Sequence, residues 1–220
     1  MSAGLALALS LVEPLEAIRD ARRLRREHPR MVPTDLPLEA LRSLYDRYVA
    51  QVSSADMAVS WESARYLRQL CDTLGPTRVL DLGSGFSSLV LRHYASSAEH
   101  AVTVVSVDDD PRWLDRTRDF LDEHGYSEGE LRLWSDFANA PGEPFDVVFH
   151  DLAGGALRET AMAVAVRCLS RHGVIVFDDA HHLGHRRAAR RAARDARLAT
   201  YSLHRWTRDG IGRFAFLAAP

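Results

Sequence analysis

Three aspartates and a run of histidines stand near the ends of two apolar segments, and they are the residues best suited to chemistry in this chain. Asp151 closes Phe145-Asp146-Val147-Val148-Phe149-His150, and Asp178 with Asp179 closes Gly173-Val174-Ile175-Val176-Phe177. If the two segments are strands of one sheet, the three carboxylates converge at its edge. Carboxylates so placed repel one another unless a cation intervenes, and hard oxygen ligands in a partly hydrated site suit Mg²⁺ or a similar ion. A metal held by Asp151, Asp178 and Asp179 would bind two adjacent substrate oxygens and lower the pKa of a hydroxyl. The alternative is that Asp178 or Asp179 caps the helix that follows. His150, His181, His182 and His185 lie close by, and neutral imidazole near pH 7 is a competent base. Alternation along a strand turns His150 away from a site faced by Asp151. His181 and Asp151 are therefore the candidate catalytic residues. His181 and His182 also read as an exposed helix start or as further metal ligands, and with His185 a cluster would favour Zn²⁺ or Fe²⁺.

A second constellation fits a nucleotide-like cofactor. Val79-Leu80-Asp81-Leu82-Gly83-Ser84-Gly85-Phe86-Ser87-Ser88 runs from an apolar strand through a glycine-bearing turn into a helix. Gly83 and Gly85 permit positive φ and leave the backbone open to a ligand, while Ser84, Ser87 and Ser88 belong to a helix start whose free N–H groups favour an acceptor. The dinucleotide fingerprint would place a third glycine where Ser88 stands. The next apolar run, Val102 to Val107, ends in Asp108, and a carboxylate at the end of a second strand can accept both ribose hydroxyls. Asp109 is a further candidate contact, although Asp109 and Asp110 also have a structural reading, since Asp110-Pro111 is an N-cap followed by proline at the first helical position.

Over residues 56 to 220 these motifs resemble the class I S-adenosylmethionine-dependent methyltransferases. Val79 to Gly85, with Asp81, is similar to that family's first motif, Asp108 to its ribose acid, and Trp134-Ser135-Asp136-Phe137 to the turn after its third strand. The resemblance implies S-adenosylmethionine as cofactor. It places adenine at Asp136 and Phe137, with Asp136 accepting from the amino group, and the methionine carboxylate at Ser60 and Glu62. The fold it implies is a doubly wound Rossmann-like α/β sheet of seven strands, mostly parallel, with a C-terminal antiparallel hairpin. The three carboxylates resemble those of metal-dependent O-methyltransferases, and the acidic pair Asp178-Asp179 fits the bacterial sugar and natural-product type better than the catechol type. Catechol-type enzymes carry a lysine three residues after the first metal aspartate; Gly154 stands there, and all 28 basic residues of this chain are arginine. The expected function is methyl transfer to a hydroxyl of a small molecule, assisted by Mg²⁺. Two other readings stay open: metal-independent transfer to nitrogen or a macromolecule, and a catalytically idle cofactor-binding partner protein.

The elements that must position these groups are legible in outline. With 220 residues, 46% apolar and 26% charged, the chain can bury one sizeable core and a small extension. Residues 1–55 read as an N-terminal helical extension, with helices over Leu15 to His28 and Leu38 to Tyr48 separated by Pro33-Thr34-Asp35-Leu36-Pro37. Residues 56–220 read as the methyltransferase domain, opening with a helix over Ser60 to Leu74 and ending in strands over Thr200 to Thr207 and Arg213 to Leu217. Cys71 and Cys168 fall on helices and are expected to be buried reduced thiols. A formal net charge of −2 gives no general reason for a nucleic-acid or membrane partner. The arginine run from Arg186 to Arg194 offers a basic face for phosphate or RNA, or a solvated face opposite packed alanines. Leu5 to Val12 is too short to span a bilayer and lacks the basic start of a signal peptide, so a cytoplasmic location is expected. The N-terminal helices are a candidate surface for homo-oligomers.

Overall fold

The computed structural model describes residues 3–34, 37–152 and 154–220, with side chains from residue 13 onward. Asp35 and Leu36, part of the expected punctuation between the first two helices, lie outside the described residues. The N-terminal helices are α1 (Ala3–Glu27) and α2 (Glu39–Gln51). After them come α3 (Trp61–Leu74), β1 (Arg78–Leu82), α4 (Phe86–Ser97), β2 (Thr103–Asp108), α5 (Pro111–Glu123), β3 (Glu130–Leu133) and α6 (Trp134–Asn139). The C-terminal half carries β4 (Phe145–His150), α7 (Gly155–Arg167), β5 (Leu169–Phe177), α8 (Leu183–Asp195), β6 (Ala199–Ser202), α9 (His204–Thr207) and β7 (Phe216–Ala219).

The strands form one seven-stranded sheet in the order β3-β2-β1-β4-β5-β7-β6. The pairs from β3 through β5 are parallel, and β7 runs antiparallel to both β5 and β6. This is the expected doubly wound α/β architecture. The central strands read as continuous apolar runs because helices cover both faces. Val79, Val104, Val147, Phe149, Val174 and Val176 pack in one core with Leu67, Cys71 and Leu89 from α3 and α4. Leu80, Val105, Val148 and Ile175 pack in the other, with Phe137, Met162 and Ala189 from α6, α7 and α8. Cys71 and Cys168 are both free and buried.

Leu24, Leu41, Tyr45 and Tyr48 of the N-terminal helices belong to the first of these cores. The extension therefore shares the sheet's apolar interior. On the far side α1 is tied by polar contacts: Asp20 accepts from the Ser202 N–H at 3.0 Å, Glu27 accepts from the Tyr201 hydroxyl at 2.8 Å, and Glu13 pairs with Arg186 at 2.5 Å. Arg190 pairs with Glu16. The arginine run is α8, whose Ala188, Ala189, Ala192 and Ala193 are buried, and two of its arginines are held by glutamates. Arg187, Arg191 and Arg194 are the exposed members. No helix among the described residues is long and apolar enough to cross a membrane.

Several expected elements differ: α1 begins at Ala3 rather than Leu15, and the last strand is Phe216–Ala219 rather than Arg213 to Leu217. The strand expected through Thr207 stops at Ser202, because Leu203 leaves extended backbone and starts α9. Buried Thr207 fixes that turn by donating to the Leu203 carbonyl and accepting from the Ala215 N–H. The segment after β3 is a helix, α6, rather than a turn, and it buries Phe137 beside Trp134 and Phe145.

The order of strands reverses between β1 and β4, and there the sheet opens at its carboxyl end. The Gly83 N–H donates to the Val107 carbonyl at 2.8 Å, and the Asp151 N–H donates to Leu82 at 2.6 Å. Gly83 has φ of +107°, and a Cβ on it would lie 2.6 Å from the Asp151 carbonyl carbon. Glycine is thus required by the packing of two strand ends, whatever ligand lies near. Below the turn, fully buried Asp81 accepts from Ser88 Oγ at 2.5 Å, while Ser88 Oγ accepts from the Gly85 N–H at 3.1 Å. Burial pushes the Asp81 carboxyl up to about 7.

Gly83→Ala should destabilise the fold by about 2–5 kcal/mol, from strained φ and overpacking together. Gly210→Ala, with open space around its Cα, should stay within about 0.5 kcal/mol of wild type in the same denaturant titrations. Asp81 also makes a pH-dependent contribution. Its folded-state pKa lies above the unfolded value, so the native chain binds the extra proton between about pH 4 and 7 and stability falls as pH rises through that window. Asp81→Asn should therefore gain on wild type by about 2 kcal/mol between pH 4.5 and 7.5, as read by denaturation midpoints at each pH.

Candidate active site at the strand ends

A cavity of about 300 Å³ lies at this opening. The β1–α4 turn contributes Gly83, Ser84, Gly85 and Ser87, and the end of β2 contributes Asp108 and Asp109. Asp151 after β4, and Asp178 and Asp179 after β5, line its other side. Nine of the residues expected at the site thus share one cavity.

Asp108 is fixed by three donors. The Ser84 N–H and hydroxyl reach Oδ2 at 2.8 and 3.0 Å, and the Asp110 N–H reaches Oδ1 at 3.1 Å. Burial raises its carboxyl despite these bonds. Asp110 caps α5 by accepting from the Arg112 N–H, with Pro111 at the first helical position. Trp113, on the next turn, donates from Nε1 to the Ser84 carbonyl at 2.5 Å and forms part of the wall. Tyr48 of α2 closes the other side of the turn, its hydroxyl 2.9 Å from where a Cβ on Gly85 would lie.

The three strand-end carboxylates do converge, but a guanidinium is among them. Arg158 of α7, with a side chain only 5% exposed, places Nη2 2.5 Å from Asp151 Oδ1 and Nη1 3.3 Å from Asp179 Oδ2. Asp178 accepts from the Ser63 hydroxyl at 3.3 Å. Desolvation pushes Asp151 up to about 6 against the pull of Arg158, and pushes Asp178 up to about 8 with repulsion from Asp151 and Asp179. Asp179 sits in the left-handed region at φ 55°, a conformation that aspartate tolerates better than most residues and that is common at functional sites. Neither Asp178 nor Asp179 caps the helix that follows; His182 occupies the N-cap of α8.

This arrangement does not fit the expected Mg²⁺ site of Asp151, Asp178 and Asp179. The reason is positional: the cation between Asp151 and Asp179 is Arg158, and among the described residues no group of three or more His, Cys, Asp or Glu side chains could hold a metal ion. The same holds for the histidines as a Zn²⁺ or Fe²⁺ cluster.

His181, the expected base, is not part of the cavity wall. Its Nδ1 lies 3.5 Å from Asp179 Oδ1, its ring stacks on His182 at 3.9 Å, and burial lowers its pKa. His150 is fully buried, turned from the cavity as strand alternation requires. Neither of its ring nitrogens has a hydrogen-bond partner among the described residues, and burial drives its pKa down to about 3.

Other expected contacts also fall elsewhere. Ser60 is the N-cap of α3, accepting from the Ser63 N–H, and with Glu62 it borders a neighbouring recess. Asp81 and Ser88 support the turn from beneath. Asp136 borders a separate recess with Pro111 and Arg132, and Phe137 is buried in the core. Helix α6 sets both positions, since it buries one face and leaves Asp136 on the other.

Arg213 was not expected. Its guanidinium donates to the carbonyls of Ala55, Asp56 and Ala58 at 2.8–2.9 Å, and Nε pairs with Asp209 at 2.7 Å. It thereby clamps the 55–58 segment, which lines the cavity beside Arg213 itself. One arginine among 28 basic residues carries no local signal for such a role.

No family model matches the chain, and no curated protein matches its sequence. Solved structures do match its fold. An O-methyltransferase from Bacillus cereus in complex with SAH superposes with a TM-score of 0.64 at 18% identity, covering 94% of this chain and 98% of that one. The O-methyltransferase TomG from Streptomyces achromogenes, of tomaymycin synthesis and in complex with SAM, gives 0.62 at 20% identity over 84% and 90%. An SAH-bound methyltransferase from Podospora anserina gives 0.60 at 15% identity over 93% and 95%. The chain has the fold of these methyltransferases over nearly its whole length.

Proposed function

We propose that this chain transfers a methyl group from S-adenosylmethionine to a hydroxyl of a small molecule. The observation that carries this reading is the single cavity that runs from the glycine turn and Asp108 to the carboxylates after β4 and β5. A nucleoside held at one end and an acceptor held at the other would share that space. The bound SAH and SAM of the Bacillus cereus and Streptomyces achromogenes O-methyltransferases support the same reading.

The residues present fit the cofactor. Asp108 is fixed where a ribose diol would need an acceptor, Trp113 offers an aromatic wall, and a lining rich in carboxylates suits a cationic ligand. When bound, S-adenosylmethionine supplies an electrophilic methyl on a sulfonium that leaves as a neutral thioether. The protein's part is then to orient the acceptor oxygen and take its proton. Asp151 and Asp179 hold Arg158, whereas Asp178 meets the neutral Ser63 hydroxyl and lines the cavity. Asp178 is the carboxylate assigned to accept that proton. The segment clamped by Arg213 forms one side of the cavity.

Calorimetry should show S-adenosylmethionine and S-adenosylhomocysteine binding to the wild-type chain. Asp108→Ala should weaken both by about 1.5–3 kcal/mol, the range for hydrogen bonds to a charged group. Unchanged affinity would remove Asp108 from the site. With a hydroxyl acceptor found by mass spectrometry of methylated products, Asp178→Asn should slow transfer by roughly 10²–10⁴-fold, and raising the pH should restore part of the loss. His181→Ala should leave the rate within a few-fold. A large loss in His181→Ala, with Asp178→Asn near wild type, would reverse the assignment of the base.

A further inference from the structure

We propose that Arg158 is the resident cation of the strand-end carboxylates, holding Asp151 and Asp179 in the cavity where a divalent ion would otherwise gather them. Its role in methyl transfer rests on the function proposed above; its occupation of the cation position does not.

The geometry is that of a bridge. The two terminal nitrogens of one guanidinium engage two carboxylates from different strand ends, at 2.5 Å to Asp151 and 3.3 Å to Asp179. A guanidinium is planar, permanently charged and built to meet carboxylates through separate nitrogens, so it fixes their orientation in a way a lysine could not. The side chain is 5% exposed, which removes the competition from water that weakens surface pairs. Arg158 lies on the first turn of α7, directly after the loop that leaves Asp151. The same connection therefore supplies both the first carboxylate and its counter-ion.

For a divalent ion to be gathered by these carboxylates, Arg158 would have to withdraw. That would leave a buried guanidinium without its carboxylates, and keeping both cations would bring like charges together in a poorly hydrated space. Removing the arginine reverses the balance. Three clustered carboxylates, one buried and two about a quarter exposed, are without that counter-charge a set of hard oxygen donors, and such a set recruits a hard cation. The bridge also bears on the acceptor. A metal route selects acceptors with two adjacent oxygens, because both enter its coordination sphere. With Arg158 in place, one hydroxyl within reach of Asp178 is enough.

The test is Mn²⁺ binding to the full-length chain after dialysis against a chelator, read from loss of the free Mn²⁺ signal in electron paramagnetic resonance. Wild type should show no saturable site. Arg158→Ala should bind one Mn²⁺ per chain, at least about tenfold more tightly than wild type, because its carboxylates lose their counter-charge. Adding Asp179→Asn to Arg158→Ala should abolish that site. Arg158→Lys keeps the charge, although it loses the two-nitrogen bridge, and should likewise show no saturable Mn²⁺ site, which a merely structural role for the side chain would not require. Wild type binding one Mn²⁺ per chain in a manner lost in Asp179→Asn would overturn the proposal, even if every Arg158 variant failed to fold. Folded Arg158→Ala without a Mn²⁺ site would overturn it as well. S-adenosylhomocysteine calorimetry on the same samples separates the two readings: absent cofactor binding with the Mn²⁺ pattern intact removes the methyltransferase function and leaves the bridge.

Discussion

At Gly83 the end of β1 lies so close to the peptide joining Asp151 and Leu152 that no side chain fits between them. This contact sets the geometry of everything above it. It brings the β1–α4 turn and the first residue after β4 to opposite walls of one opening, and the hydrogen bonds from Gly83 to Val107 and from Asp151 to Leu82 lock that opening to three adjacent strands. The strand-end wall of the cavity is therefore a property of the sheet rather than of a loop. Groups placed on such strand ends are held with little freedom, which is what oriented chemistry requires.

The electrostatic character of the opening follows from the same crowding. Strand ends deliver carboxylates, and burial makes Asp81, Asp108, Asp151 and Asp178 costly to ionise. The chain answers in three ways. Asp108 is surrounded by N–H and O–H donors, Asp81 is pushed towards its neutral form, and Asp151 and Asp179 share a guanidinium. Asp178, which accepts from the neutral Ser63 hydroxyl, is the one left best able to exchange a proton near neutral pH.

How much of this was legible in the sequence differs by element. The glycine turn, Asp108 and the acidic strand ends were readable because each is tied to a local pattern: an apolar run, then a residue that such a run places at the sheet's edge. The helix at Trp134 to Phe137 was not legible because four residues after β3 do not reveal whether they turn or begin a helix, and packing of Phe137 against Phe145 decides it. Thr200 to Thr207 read as one strand for a similar reason, since the side-chain bonds of Thr207 that stop it come from residues far along the chain. Arg158 and Arg213 were invisible among the other arginines. What distinguishes them is burial and the carbonyls and carboxylates they meet, and no local spacing encodes either. The expected metal was a sound answer to the repulsion of three carboxylates; the fold answers it with a side chain.

Helix α1 has a consequence of a different kind. β6 is the last strand of the sheet, and an uncovered outer strand presents free backbone donors on which another chain can build. Asp20 takes one of those donors, the N–H of Ser202, while Arg23 lies over the Tyr201 ring at 4.2 Å and Glu27 receives its hydroxyl. The N-terminal helix thus acts as a guard on the sheet's open margin, with side chains that take no part in lining the strand-end cavity.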